Sequence, residues 1–156
     1  ESARQFVASY TGAGQAVTLF GESMGGLGAM NYTKANPSLV RSVIAMIPVL
    51  NLDYFRTNVG PSAAIDPWYG GTYVEATHGA NHNPVTFAST LPNQATLPIK
   101  LYYSTTDAAI DVTNNITAFV NNRAGTLSMN CGTGGHTETT IAAAASDAVR
   151  FARYQN

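Results

Sequence analysis

The sequence predicts an α/β fold, in which a parallel β-sheet is covered by helices on both faces. Continuous apolar runs at 16–20 and 41–47 are typical of strands that are buried on both sides of a parallel sheet. Segments with helical periodicity alternate with such runs, which is the pattern of parallel strands joined by right-handed helical crossovers. The chain of 156 residues has the length of a single domain, which we place over 1–156.

The individual elements follow from local patterns, taken in chain order. We predict strands at 16–20, 41–47, 98–104 and 126–129. We predict helices over 2–10, 26–35, 112–123 and 137–154, and one or two helical turns at 84–91. Each predicted strand therefore leads into a helix, except for the second strand, which leads into a long insertion.

This insertion covers residues 48–83 and interrupts the regular alternation. It contains Gly-Pro, Asp-Pro and Gly-Gly pairs, which mark turns, and five aromatic residues: Tyr54, Phe55, Trp68, Tyr69 and Tyr73. Long insertions without regular structure are commonly lids or binding loops, so we predict a lid or pocket wall, with Trp68 and Tyr69 as substrate-binding candidates. The alternative is that these aromatic side chains only pack the insertion onto the body of the domain.

A Gly-x-Ser-x-Gly pattern follows the first strand, as Gly21-Glu22-Ser23-Met24-Gly25. A strand before this pattern and a helix after it are the context of a sharp turn that exposes a serine hydroxyl. We expect glycine at positions 21 and 25 because a Cβ at either position would collide with the closely approaching strand and helix. The alternative is an ordinary glycine-rich turn that carries a surface serine.

Three residues with complementary chemistry follow predicted strands: Ser23, Asp107 and His136. The carboxyl ends of parallel strands meet at one edge of a sheet, so we expect these side chains to converge there. An imidazole within hydrogen-bond reach can take the serine proton, and a carboxylate can orient the imidazole from its other side. The pattern thus favours nucleophilic catalysis by Ser23.

Other acidic and histidine residues compete for these roles. Asp111 begins the predicted helix over 112–123, where a carboxylate is favoured as a cap. Asp53, which follows the second strand, and Asp66 also compete for the role of the acid. His78 and His82 lie in the insertion, and two histidines in an irregular loop without a third ligand make a poor metal site. We therefore assign no metal ion.

The stretches Gly-Glu-Ser-Met-Gly-Gly around Ser23, Ile-Lys-Leu-Tyr-Tyr-Ser-Thr-Thr before Asp107, and Gly-Gly-His-Thr-Glu around His136 resemble the signatures of the α/β-hydrolase superfamily. The resemblance covers nearly the whole chain, but only the second half of that fold, with about four strands. It implies Asp107 as the acid, with Asp53 as the runner-up, and His136 as the base. It implies a serine esterase or lipase-like hydrolase that cleaves a small-molecule ester through an acyl-enzyme, without a cofactor. Peptidase, thioesterase and acyltransferase activities remain open alternatives.

The resemblance also implies parts that the sequence does not supply. The oxyanion hole would use the backbone N–H of Met24 and a second N–H from a loop far upstream, and Glu22 is a further candidate for substrate binding. The strand at 16–20 would be a sheet edge with unpaired backbone groups. Because the chain also opens with Glu1, we expect a processed product or a piece of a longer protein, completed by an upstream segment or a separate chain.

Composition excludes some functions. Charged residues make up 11% and the formal net charge is −1, so we expect no nucleic-acid partner, and no apolar run is long enough for a membrane span. The low charge is common in extracellular and virion-associated proteins, but the single Cys131 leaves the compartment open. The alternative function is a catalytically inactive hydrolase-fold module with a structural or binding role in a larger assembly.

Overall fold

The computed structural model describes residues 5, 6, 9, 14–60 and 62–154. Residues 5, 6 and 9 are helical, and the remainder of the helix predicted over 2–10 lies outside the described residues. None of the helices in the described ranges combines the length and the apolar character that crossing a bilayer requires.

Within the described residues, four parallel strands form one sheet, in which the spatial order of the strands equals their order in the chain. These strands are β1 (Val17–Glu22), β2 (Val40–Met46), β3 (Ile99–Tyr103) and β4 (Leu127–Asn130). The pairing is parallel throughout, and its register places Ala45 of β2 between Gly21 of β1 and Leu101 of β3. The α/β fold with about four parallel strands is therefore confirmed.

Helices follow the strands much as the sequence predicts. The α-helices are α1 (Met24–Ala35), α2 (Leu52–Asn58), α3 (Ser62–Ile65), α4 (Glu75–His82), α5 (Pro84–Phe87), α6 (Ala118–Asn122) and α7 (Glu138–Tyr154). Short 3₁₀ turns occur at Pro37–Leu39, Asp66–Tyr69 and Ala88–Thr90, and a π-helical turn at Thr113–Thr117 leads into α6. The predicted helices over 26–35, 112–123 and 137–154 thus form with small shifts at their ends.

The core lies on both faces of the sheet, because alternate residues of a strand point to opposite sides. On one face, Val43 and Leu101 pack with Met30 of α1 and Phe119 of α6. On the other face, Ile44, Met46 and Tyr102 pack against α7 through Ala144, Ala148 and Phe151. Both faces of the two central strands are therefore largely covered, which explains why apolar residues dominate their sequences.

The prediction that residues 48–83 are irregular is wrong. The segment contains α2, α3, a 3₁₀ turn and α4, all of them short. The side chain of Asn51 accepts a hydrogen bond from the Tyr54 N–H and so caps α2. Arg56 donates two hydrogen bonds to Asp66, at 2.5 and 2.8 Å, which ties α2 to the 3₁₀ turn. A helix cap and an ion pair thus help to hold the short helices of the insertion, which lack a long apolar periodicity in their sequence.

Candidate active site

The sharp turn after β1 places Ser23 in an unusual backbone conformation, with φ 50° and ψ −120°. A positive φ at a residue other than glycine costs on the order of 1–3 kcal/mol, so the surroundings must hold it. The N–H of Ser23 donates to Met46 O at 3.0 Å, and its carbonyl accepts from Val49 N–H at 3.0 Å. Hydrogen bonds to the end of β2 therefore fix the turn that presents the serine.

A second positive φ lies beside this turn. Ile47, directly after β2, has φ 42° and is 1% exposed. Its N–H donates to Tyr102 O at 2.7 Å. In the described part of the chain, Ser23 and Ile47 are the non-glycine residues with positive φ, and both lie at the carboxyl edge of the sheet. Backbone strain is therefore concentrated at this edge, as is common at functional sites.

The glycines of the turn have different roles from those expected. A Cβ at Gly21 would lie 2.4 Å from the carbonyl oxygen of Gly25, which confirms the close approach at position 21. A Cβ at Gly25 would meet no atom within 4 Å, so the expectation for that position is wrong. The second tight position is Gly26, where a Cβ would lie 2.5 Å from Cβ of Pro48. Gly26, rather than Gly25, therefore lets α1 pack against the chain beyond β2.

The structure brings Ser23, His136 and Asp107 into one hydrogen-bonded row. His136 Nε2 lies 2.9 Å from Ser23 Oγ, and His136 Nδ1 lies 2.8 Å from Asp107 Oδ2. These distances allow Nδ1 of a neutral imidazole to donate to the carboxylate while Nε2 accepts from the serine hydroxyl. That tautomer is the one that could remove the serine proton.

The carboxylate of Asp107 is the most enclosed group of this row. Its side chain is 1% exposed, whereas that of His136 is 29% exposed. Its other oxygen, Oδ1, accepts hydrogen bonds from the N–H groups of Ala109 and Ile110 at 2.9 and 2.8 Å. One oxygen therefore orders the loop after β3, while the other orients the imidazole.

The competing acids have other partners. Asp111 Oδ1 accepts from the backbone N–H of Asn114 at 2.6 Å, which confirms its role as a helix cap. Asp66 binds Arg56, and hydrogen bonds from Arg56 and from the Tyr73 N–H lower the pKa of Asp66 to about 2. Asp53 lies in the first turn of α2. The carboxylate that reaches His136 is that of Asp107.

The insertion meets the site through an apolar cluster. Met24, directly after Ser23, packs against the same buried cluster as Tyr69 of the insertion and Ala109 of the loop that carries Asp107. The buried members of this cluster are Leu27, Val49, Leu52, Ile65, Tyr73 and Ile110. The insertion thus covers the apolar side of the segment that begins α1.

The remaining candidates lie further out. Trp68 is 63% exposed, and Glu22, the last residue of β1, is also exposed. His78 and His82 are one turn apart on α4 rather than in an irregular loop, which corrects the prediction. Their rings lie 4.8 and 5.2 Å from the ring of Tyr69. Among the described residues, no group of three or more His, Cys, Asp or Glu side chains could hold a metal ion.

Met24 is the first residue of α1, at the helix end where backbone N–H groups lack partners within the helix. The N-terminal end of a helix also carries a partial positive charge, which favours a negative ligand atom beside it. The position of Met24 is therefore suited to the oxyanion role expected from the sequence.

One residue beside this row lies within the stretch quoted before Asp107 but is not among the predicted site residues. Ser104 follows β3, is 0% exposed, and contacts the loops of both Asp107 and His136. A serine that closes a buried apolar strand just before the candidate acid is the sequence signal that could have pointed to it.

The different surroundings of the two turn glycines give a stability test. We expect Gly21→Ala to lower the free energy of unfolding by about 1–3 kcal/mol, because its Cβ would overlap the backbone of α1. We expect Gly25→Ala to be neutral or to stabilise by up to about 1 kcal/mol, because it adds a helix-favouring methyl in open space. Urea unfolding of both variants measures the difference, and equal losses would contradict the packing described for this turn.

A family model described as the alpha/beta hydrolase fold matches residues 3–91 of the chain. The comparison with curated protein sequences found no match to this chain. Similar solved structures include an S-formylglutathione hydrolase from Agrobacterium tumefaciens, at 18% identity and a TM-score of 0.68, over 99% of this chain and 55% of that one. They also include the esterase domain of a Rhodothermus marinus protein, at 18% identity and a TM-score of 0.64, over 98% of this chain and 65% of that one.

A further similar structure is a puromycin-hydrolyzing peptidase from Mycobacterium tuberculosis, at 14% identity and a TM-score of 0.69. The alignment covers 97% of this chain and 24% of that one. The chain therefore spans from about a quarter to about two thirds of the length of these three proteins. At such identities the likeness shows a shared fold.

Proposed function

The chain belongs to the alpha/beta hydrolase fold family, and from this premise we propose that it is a serine hydrolase that cleaves carboxylic esters. The observation that carries the proposal is the hydrogen-bonded row of Ser23, His136 and Asp107, with separations of 2.9 and 2.8 Å. This geometry matches a nucleophile, a base within hydrogen-bond reach, and a group that orients the base.

In the proposed mechanism Ser23 Oγ attacks the ester carbonyl while His136 Nε2 takes its proton. The buried carboxylate of Asp107 stabilises the imidazolium that forms. The N–H of Met24 donates to the negatively charged oxygen of the tetrahedral intermediate. His136 then protonates the departing alcohol, and a water molecule, activated by the same imidazole, hydrolyses the acyl group from Ser23.

The preference for an ester rests on the surroundings of Ser23. The neighbouring cluster is apolar, and its edge is formed by Met24, Tyr69 and Ala109. Such a wall suits an apolar acyl or aryl group better than a charged substrate. We propose that residues 48–83 act as a lid or pocket wall, with Tyr69 on the inner side of this wall. The exposed Trp68 of the insertion and the exposed Glu22 of β1 would lie at the rim of the pocket. The esterase and peptidase among the similar structures support hydrolysis as the reaction class.

Covalent labelling tests the proposal. A fluorophosphonate should label the protein stoichiometrically, because an activated serine attacks its phosphorus, and Ser23→Ala should abolish the label. The matched control is Ser89→Ala, which removes an exposed serine from the Ala88–Thr90 turn and should leave labelling unchanged. Mass spectrometry of the intact protein measures the result. Absence of label in the wild-type chain assembled with the part that completes its sheet would favour the alternative of an inactive module in a larger assembly.

The choice of acid gives a second prediction. We expect Asp107→Asn to lower kcat for an ester on the order of 10⁴-fold, because the amide no longer favours the reactive tautomer of the imidazole. Asp111→Asn is the matched control, and because asparagine remains a good helix cap, its activity should stay close to wild type. Steady-state hydrolysis of an aryl ester compares them. The reverse order would show that the acid is misassigned.

We further propose that an upstream segment or a separate chain completes the sheet beside β1. In the described part of the chain β1 pairs with β2 and has no strand on its other side. Phe20 of β1 is 58% exposed beside an apolar groove of about 320 Å³, which Thr18, Ile44, Met46, Ile141 and Val149 also line. An open apolar edge of this kind needs a cover.

Residues 1–156 expressed alone should therefore aggregate or remain loosely packed, and co-expression with the missing part should yield a soluble protein. Phe20→Ser should improve the solubility of the isolated chain more than Leu127→Ser, a control on β4 whose side chain is 46% exposed. Size-exclusion chromatography and urea unfolding measure both effects. A stable, active monomer of 1–156 would contradict this part of the proposal.

A further inference from the structure

Asp107, which would orient the imidazole, and His136, which would take the serine proton, lie in separate loops. Asp107 lies beyond β3, and His136 lies beyond β4, the neighbouring strand. A hydrogen bond of 2.8 Å between their side chains cannot by itself fix two loops, because each loop has its own freedom to move. The loops therefore need a support that connects them, and the structure shows one between the strands.

Ser104 occupies this connecting position. Its hydroxyl donates to Gly132 O at 3.0 Å and accepts from the Gly135 N–H at 2.9 Å. It also accepts from the Thr106 N–H, next to Asp107, at 3.3 Å. Thr106 Oγ1 also lies 3.3 Å from it. A hydroxyl has one proton and two lone pairs, so the three backbone contacts already match its full capacity. The group is fully buried, where leaving a polar partner unpaired is costly.

The peptide before His136 is held from a second side as well. Thr140 of α7, which is 1% exposed, donates its hydroxyl proton to Gly135 O at 2.8 Å. Gly135 has φ 68°, a left-handed conformation that glycine adopts without strain. Gly135 thus lies between two buried hydroxyls, one that accepts from its N–H and one that donates to its carbonyl. His136 is the next residue in the chain.

We propose that Ser104 is a positioning residue, which helps to set the distance between Asp107 and His136 through one buried hydroxyl that contacts both of their loops, beside the bonds from Thr105 to Gly132 O. The inference rests on the proposed function for its kinetic consequences. Ser104 contacts neither the substrate nor the serine, and it acts through the backbone that carries the acid and the base. Thr140 supports the same peptide from α7.

Removal of the hydroxyl has a defined effect on this support. In Ser104→Ala, Gly132 O keeps the N–H of Thr105, which donates to it at 3.1 Å, but the Gly135 N–H loses the acceptor that Ser104 provides. The loop that carries His136 is then free to shift. Displacements of about 1 Å in a reacting group can lower a rate about 100-fold.

Kinetics on matched variants test the inference. We expect Ser104→Ala to lower kcat for an aryl ester about 10- to 100-fold, with little change in KM, because proton transfer suffers while the apolar wall is intact. The control is Ser42→Ala, which removes an equally buried serine hydroxyl from β2 whose partner is Thr18 Oγ1. Its kcat should stay close to wild type, although loss of the bond to Thr18 lowers its thermal stability.

A second pair of variants covers the case in which Ser104→Ala fails to fold. Thr140→Val keeps the side-chain shape but removes the other hydroxyl from Gly135, and it should also lower kcat. Thr33→Val is its control, because Thr33 is equally buried but donates to Ala29 O within α1. Equal kcat values for Thr140→Val and Thr33→Val, or for Ser104→Ala and Ser42→Ala, would overturn the inference.

A readout without turnover separates this inference from the proposed function. The Nδ1 proton of His136, shared with a buried carboxylate, should give an exchange-protected downfield proton NMR signal in the folded protein. The signal should broaden or vanish in Ser104→Ala and persist in Ser42→Ala. If the wild-type protein shows no turnover but the signal is lost in Ser104→Ala, the positioning role is supported and the proposed function is refuted. An unchanged signal with unchanged kcat would refute the positioning role alone.

Discussion

Backbone hydrogen bonds between parallel strands continue past the ends of the strands, and the candidate site depends on them. Ser23, Ile47 and Cys131 each follow a strand and donate a backbone N–H to Met46, Tyr102 and Tyr103 on the neighbouring strand, at 3.0, 2.7 and 2.8 Å. These bonds hold the beginnings of the loops after β1, β2 and β4 against the ends of the neighbouring strands, at one edge of the sheet. The side chains that emerge from the loops can then meet, although 113 residues separate Ser23 from His136.

This alignment explains where the fold tolerates unfavourable backbone dihedral angles. Ser23 and Ile47 have positive φ values of 50° and 42°, and each stays there because its N–H is bound to the next strand. The cost, on the order of 1–3 kcal/mol for each residue, is offset by core burial on both faces of the sheet. A rigid sheet thus presents the serine in a conformation that an isolated turn would not hold.

The sequence predicts the sheet and the row of Ser23, Asp107 and His136 because both follow from local signals: apolar runs, a glycine-serine turn and polar residues at strand ends. It fails where tertiary contacts decide. The helices of 48–83 are too short for a detectable period, and the Arg56–Asp66 pair helps to hold them. The importance of Gly26 over Gly25 depends on the position of Pro48, which no local pattern reveals. The role of Ser104 depends on contacts with residues up to 31 positions away.

The support of the candidate site is unequal on its two sides. The acid and the base lie beyond β3 and β4, between which Ser104 makes a buried connection. The serine lies beyond β1, which, like β4 at the other edge, has no second neighbour within the described residues, and no comparable side-chain connection is seen beside it there. A segment that paired with β1 would cover Phe20 and would approach the turn that holds Ser23. Assembly of the sheet and assembly of the reactive site would then be one event, because the strand that buries the open edge also completes the surroundings of the nucleophile.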